Sequence, residues 1–116
     1  MNRFEWMKPT LAAAAILACA IPAHADETGL DAIHAQQRER GKVCMSDHYH
    51  YGSSSGKSSK KAAFATAVQS WADFTDFEYG STWARWSLAA SKSVSCSDGG
   101  GTWGCDINAR PCKGRR

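Results

Sequence analysis

Apolar and polar residues alternate most cleanly over 42–51 (KVCMSDHYHY). Val43, Met45, Tyr49 and Tyr51 share one side; Cys44, Ser46, His48 and His50 share the other. A period of two predicts a strand with one apolar face, and Asp47 is the flaw in the pattern. The next stretch, 52–59 (GSSSGKSS), has no apolar side chain to bury and is expected to be a flexible loop. The period then changes. Phe64, Ala67, Val68, Trp71 and Phe74 recur three or four apart, which predicts a helix capped by Ser58 or Ser59 and ended at Gly80. A second, shorter helix is expected from Ser81 to about Ser91, carrying Trp83, Trp86, Leu88 and Ala90. Upstream, Leu30 and Ile33 stand three apart ahead of Gly41, the pattern of a short helix over about 30–40.

The chain ends as a hairpin. Residues 93–97 and 102–109 flank Asp98-Gly99-Gly100-Gly101, and a turn centred on Gly100-Gly101 sets Cys96 opposite Cys105 and Val94 opposite Ile107. The order β-α-α-β-β predicts a small α+β domain: a three-stranded sheet with two helices on one face, stabilised by disulfides. The same order opens the KH nucleic-acid fold, but Gly80-Ser81-Thr82-Trp83 lacks the second glycine of its G-x-x-G loop. With a formal charge of only +3 for the whole chain, nucleic acid is not an expected partner.

Residues 1–25 read as a signal peptide: Arg3 and Lys8, an apolar run over 11–21, Pro22, and a small-x-small site at Ala23-His24-Ala25. Cleavage after Ala25 releases the protein to the periplasm or beyond. A lipid anchor at Cys19 is the alternative. The apolar run is too short to span a bilayer, so no transmembrane segment is expected after processing. What remains divides into a polar segment over 26–41, a single α+β domain over 42–112 and a basic tail over 113–116, which is suited at most to an anionic envelope surface. Four cysteines stay with the mature protein, the even number expected of two bridges in a small exported domain. The hairpin register pairs Cys96 with Cys105, leaving Cys44 with Cys112. No C-x-x-C pair is present, so a zinc knuckle is not expected.

Three stretches carry candidate chemistry. Gly52-Ser53-Ser54-Ser55-Gly56-Lys57-Ser58 follows a predicted strand and precedes a helix, as a phosphate-binding loop does. It is one residue short between its glycines, and no cofactor is implied. Asp73, Asp76 and Glu78 set acids near the helix end and read as a solvated face. His48 and His50, two apart on a strand, point to one face and are the candidate metal ligands, with His34 or Asp106 as a possible third.

The segments CMSDHYHYGSSSG (44–56), W-x-x-F-x-x-F-E-Y-G (71–80), WARWSLAASK (83–92) and the C-x8-C-x6-C ending resemble a group of small exported proteobacterial proteins. That resemblance implies an exported, cysteine-bridged domain and carries no assigned activity. The expectation is a non-catalytic binding or structural module of the cell envelope that meets an envelope protein or anionic surface. Its alternatives are a periplasmic metal-binding protein using His48 and His50, and a small secreted hydrolase.

Overall fold

The computed structural model describes residues 27–114. The segment expected to be a signal peptide, with Cys19, and the last two residues of the expected basic tail lie outside that range. One helix, α1 (Lys60–Tyr79), accompanies six strands: β1 (Gln36–Glu39), β2 (Lys42–Met45), β3 (His50–Lys57), β4 (Ala90–Gly99), β5 (Thr102–Arg110) and β6 (Cys112–Gly114). They form two antiparallel three-stranded sheets, ordered β1-β2-β6 and β3-β5-β4.

The expected single sheet under two helices is therefore corrected on three counts. First, the segment after Gly80 is not a second α-helix. It makes two 3-10 turns, Ser81–Trp83 and Trp86–Leu88, separated by extended Arg85, before β4 begins. A Trp-x-x-Trp spacing fits a three-residue turn as well as an α-helix. Second, the expected helix over 30–40 is a 3-10 turn, Leu30–Ile33, followed by β1. Gly41 (φ 80°) serves the β1–β2 turn and ends no helix. Third, the strand expected over 42–51 is broken at 46–49, because β2 and β3 belong to different sheets. The serine-rich stretch after it is not a loop: β3 runs to Lys57.

α1 lies on the β3-β5-β4 sheet and buries Ala63, Ala67, Trp71, Thr75 and Tyr79, a stripe of every fourth residue. Phe64 and Val68 flank it half-buried, while Phe74 stays 47% exposed. Small residues make the close approach possible. A Cβ on Gly52 would lie 2.3 Å from the Ala67 carbonyl oxygen and 2.8 Å from Trp71 Cβ, so only glycine lets β3 and α1 pack at this distance. The Ser59 hydroxyl accepts the Ala62 N–H and caps the helix. Trp71 and Trp83 are fully buried, and Trp86 meets Trp71 edge to face with centroids 5.3 Å apart.

The terminal hairpin takes the register that Gly100-Gly101 predicts, with Cys96 opposite Cys105 and Val94 opposite Ile107. Disulfides join Cys96 to Cys105 and Cys44 to Cys112, as suits an oxidising compartment. Among the described residues no helix is long and apolar enough to cross a membrane.

Candidate metal centre

β3 and α1 are joined by only two residues, so the helix runs back along the strand and its last turn arrives at His50, the first residue of β3. Thr75 and Glu78 are three apart and present neighbouring positions on that turn. His50 touches both. Its Nδ1 is 2.8 Å from Thr75 Oγ1, and its Nε2 is 3.2 Å from Glu78 Oε2. The break between β2 and β3 brings His48 to the other carboxylate oxygen, with Nε2 3.3 Å from Glu78 Oε1. His34, just beyond the Leu30–Ile33 turn, reaches the same oxygen at 3.8 Å. The segment carrying His34 is held on the helix end by a hydrogen bond from the Thr28 hydroxyl to the Glu78 carbonyl.

One ligand atom each from His34, His48 and Glu78 therefore fall within 4.8 Å of one another. Four donors around a tetrahedral ion with bonds near 2.0 Å stand about 3.3 Å apart, the spacing seen between His48 and Glu78. The sequence candidates His48 and His50 thus meet on one carboxylate, and His34 joins them. Asp106, the other candidate third ligand, lies exposed on β5 between Ser53 and Ser95 and belongs to no such group. Glu78 is the residue that sequence reasoning passed over as part of a solvated helix face.

His50 is the most constrained member, only 1% exposed. The Thr75 hydroxyl donates its single proton to the Trp71 carbonyl at 2.8 Å. With that proton on the Trp71 carbonyl, the fitting tautomer of the neutral ring is the one with Nδ1–H toward Thr75, which leaves the Nε2 lone pair toward Glu78. That nitrogen has no hydrogen-bond partner among the described residues and faces a carboxylate oxygen. Burial pushes the His50 pKa down to about 4; the Glu78 carboxylate opposes this, and His48 and His34 lower it further. The ring is thus held in the form that ligates metals.

Tyr79 backs the group. Its ring stacks on His50 at 5.0 Å and meets His34 and His48 edge-on at 5.5 and 5.9 Å. Burial, and then the neighbouring Glu78 charge, raise its phenol well above the ordinary range, so it stays neutral. Two histidines, a glutamate and a third imidazole behind them form a donor set for zinc, copper, nickel or cobalt rather than for calcium or magnesium, which take oxygen ligands. No family model, curated protein or solved structure matches the chain.

Proposed function

We propose that this protein is an exported, non-catalytic module that reversibly binds a divalent transition metal, with His34, His48 and Glu78 as ligands and His50 as a further nitrogen on the far carboxylate oxygen. The observation that carries this reading is the convergence of three imidazoles on one carboxylate: buried His50 Nε2 lies 3.2 Å from one Glu78 oxygen, and His48 and His34 lie 3.3 and 3.8 Å from the other. A cation held between His34, His48 and Glu78 Oε1 is attracted by the carboxylate charge and by the imidazole lone pairs turned toward it. His34, His48 and Glu78 are all part-exposed, so the ion is reachable from solvent and exchangeable. Three ligands from three separate segments also leave a coordination position for water or a ligand presented by an envelope partner. Release after Ala25 places the site in the periplasm or medium, where free zinc and copper must be bound.

Calorimetric titration of chelator-treated, processed protein with zinc and with copper tests the reading. One equivalent should bind with micromolar or tighter affinity. Glu78→Gln and His48→Ala should each weaken it at least about tenfold. Absence of a saturable heat with either ion, or His- and Glu-independent binding, overturns it.

A further inference from the structure

Away from the histidines, a cleft of about 370 Å³ opens between the β1–β2 turn and the start of β4. Its lining includes Glu39, Arg40, Lys42, Ala90, Ser91 and Lys92. Among the described residues only Arg40 (φ 48°) and Ser91 (φ 52°) hold a left-handed backbone without being glycine, and both line this cleft. Strain of this kind persists where the surrounding structure imposes it and concentrates at ligand sites. The β4–β5 register slips between Ala90 and Ser93, so Ser91 and Lys92 stand in the irregularity, a device that re-aims side chains.

The chemistry of the lining is one-sided. Glu39 is its only acid, and Arg110 donates to both Glu39 oxygens, at 2.6 and 2.7 Å. Ser91 Oγ accepts the Nε and Nη2 hydrogens of the same guanidinium, each at 3.2 Å. Its lone pairs are thus engaged, and its own proton is free to donate away from Arg110. Arg40, Lys42 and Lys92 enter no ion pair among the described residues. Lys42 gives one proton to the Leu88 carbonyl at 2.5 Å, which pins its ammonium, and Lys92 lies 5.4 Å from the Trp86 ring centre. The cleft offers a hydroxyl and three cations and has no uncompensated acceptor side chain.

We infer that this cleft binds an oxyanion, the phosphate or carboxylate group of a small solute, held by the Ser91 hydroxyl and by Arg40, Lys42 and Lys92. The volume is that of a small-molecule site, and the donors are the charge-assisted kind that oxyanions take. The inference is independent of the metal reading, since the two sites share no residue.

Metal-free, isotope-labelled processed protein titrated with potassium phosphate and with citrate, at constant ionic strength, gives the test. Saturable amide shifts confined to residues 39–42 and 89–92 are expected with at least one of the two. Arg40→Gly and Ser91→Gly suit the left-handed backbone, so both should fold, Arg40→Gly at least as stably as the parent and Ser91→Gly with some loss from the two Arg110 hydrogen bonds it gives up. Each should nonetheless bind about tenfold more weakly. Lack of saturation with both ions, shifts spread over other basic residues, or unchanged affinity in both variants overturns the inference. Binding only to phosphatidylglycerol vesicles would assign the oxyanion to a lipid headgroup and overturn the small-solute source.

Discussion

His50 concentrates the chemistry of this molecule in one side chain. Its position was legible in the chain, since two histidines at a spacing of two invite a shared ligand, but its burial was not. As a strand-face residue it would titrate like any exposed imidazole; against Thr75, Phe74 and Tyr79 it resists protonation down to about pH 4. The unfolded chain takes up that proton near 6.5, so between the two values the unfolded state binds more protons than the native state. Stability is therefore full above about pH 6.5 and is lost as the pH falls towards 4. Denaturant unfolding of the metal-free protein should show this acid limb, on the order of 1–3 kcal/mol. His50→Gln should flatten it, and an unchanged limb would mean that His50 is not the group responsible. With saturating zinc the parent's melting temperature should rise, because the ion binds only the folded state. The rise should vanish in Glu78→Gln and shrink on acidification, as protons compete for the imidazoles.

Among the elements, those set by local signals were readable and those set by tertiary contact were not. Ser59 and Gly80 bound α1 where capping chemistry puts them, and Gly100-Gly101 dictates the β4–β5 register and hence the Cys96–Cys105 bridge. β3 was hidden because its glycines and serines look like a linker. Gly52 is there for closeness, and the Ser54 hydroxyl donates to the Ala63 carbonyl while accepting the Cys105 N–H. Glu78 was hidden for a related reason. An α-helix of 20 residues is about 30 Å long and a strand of 8 about 27 Å, so a helix doubling back over β3 ends beside His50. That match becomes visible only once β3 is recognised as a strand. Gly52→Ala should accordingly cost at least about 2–3 kcal/mol, because the new methyl meets helix backbone rather than a flexible side chain. Urea unfolding measures this; a loss below 1 kcal/mol would show that α1 can shift away cheaply.

At the scale of the whole molecule, neither disulfide joins the two sheets. Cys44–Cys112 links β2 to β6 within one, and Cys96–Cys105 links β4 to β5 within the other. By chain entropy the first, closing a separation of 68 residues, should stabilise about 2 kcal/mol more than the second, which closes 9. Paired Cys→Ala variants compared by denaturant unfolding check that order. The link between sheets falls instead to Arg110. From the end of β5 it donates to both carboxylate oxygens of Glu39 on β1 and to the Met45 carbonyl on β2. Arg110 is nearly buried and Glu39 about one-quarter exposed, so the pair is only partly screened by solvent. The Arg110 hydrogen bonds hold the Glu39 pKa down to about 2. A depressed carboxylate contributes stability above its unfolded pKa and loses it as the pH falls through the folded one. This second acid limb should therefore run from about pH 4.5 to 2, below the limb of His50. Glu39→Gln should remove the lower limb and leave the upper one in place, at a cost near neutral pH of about 1–3 kcal/mol from the weakened hydrogen bonds to a charged group. Because the guanidinium spans both sheets, the loss should appear as one cooperative transition at lower denaturant. If the β1-β2-β6 sheet instead came apart separately, with the helical signal intact, hydrogen exchange would show early loss of protection confined to residues 36–45 and 112–114. That outcome would mean Arg110 fastens a detachable sheet and does not couple the two halves into one folding unit.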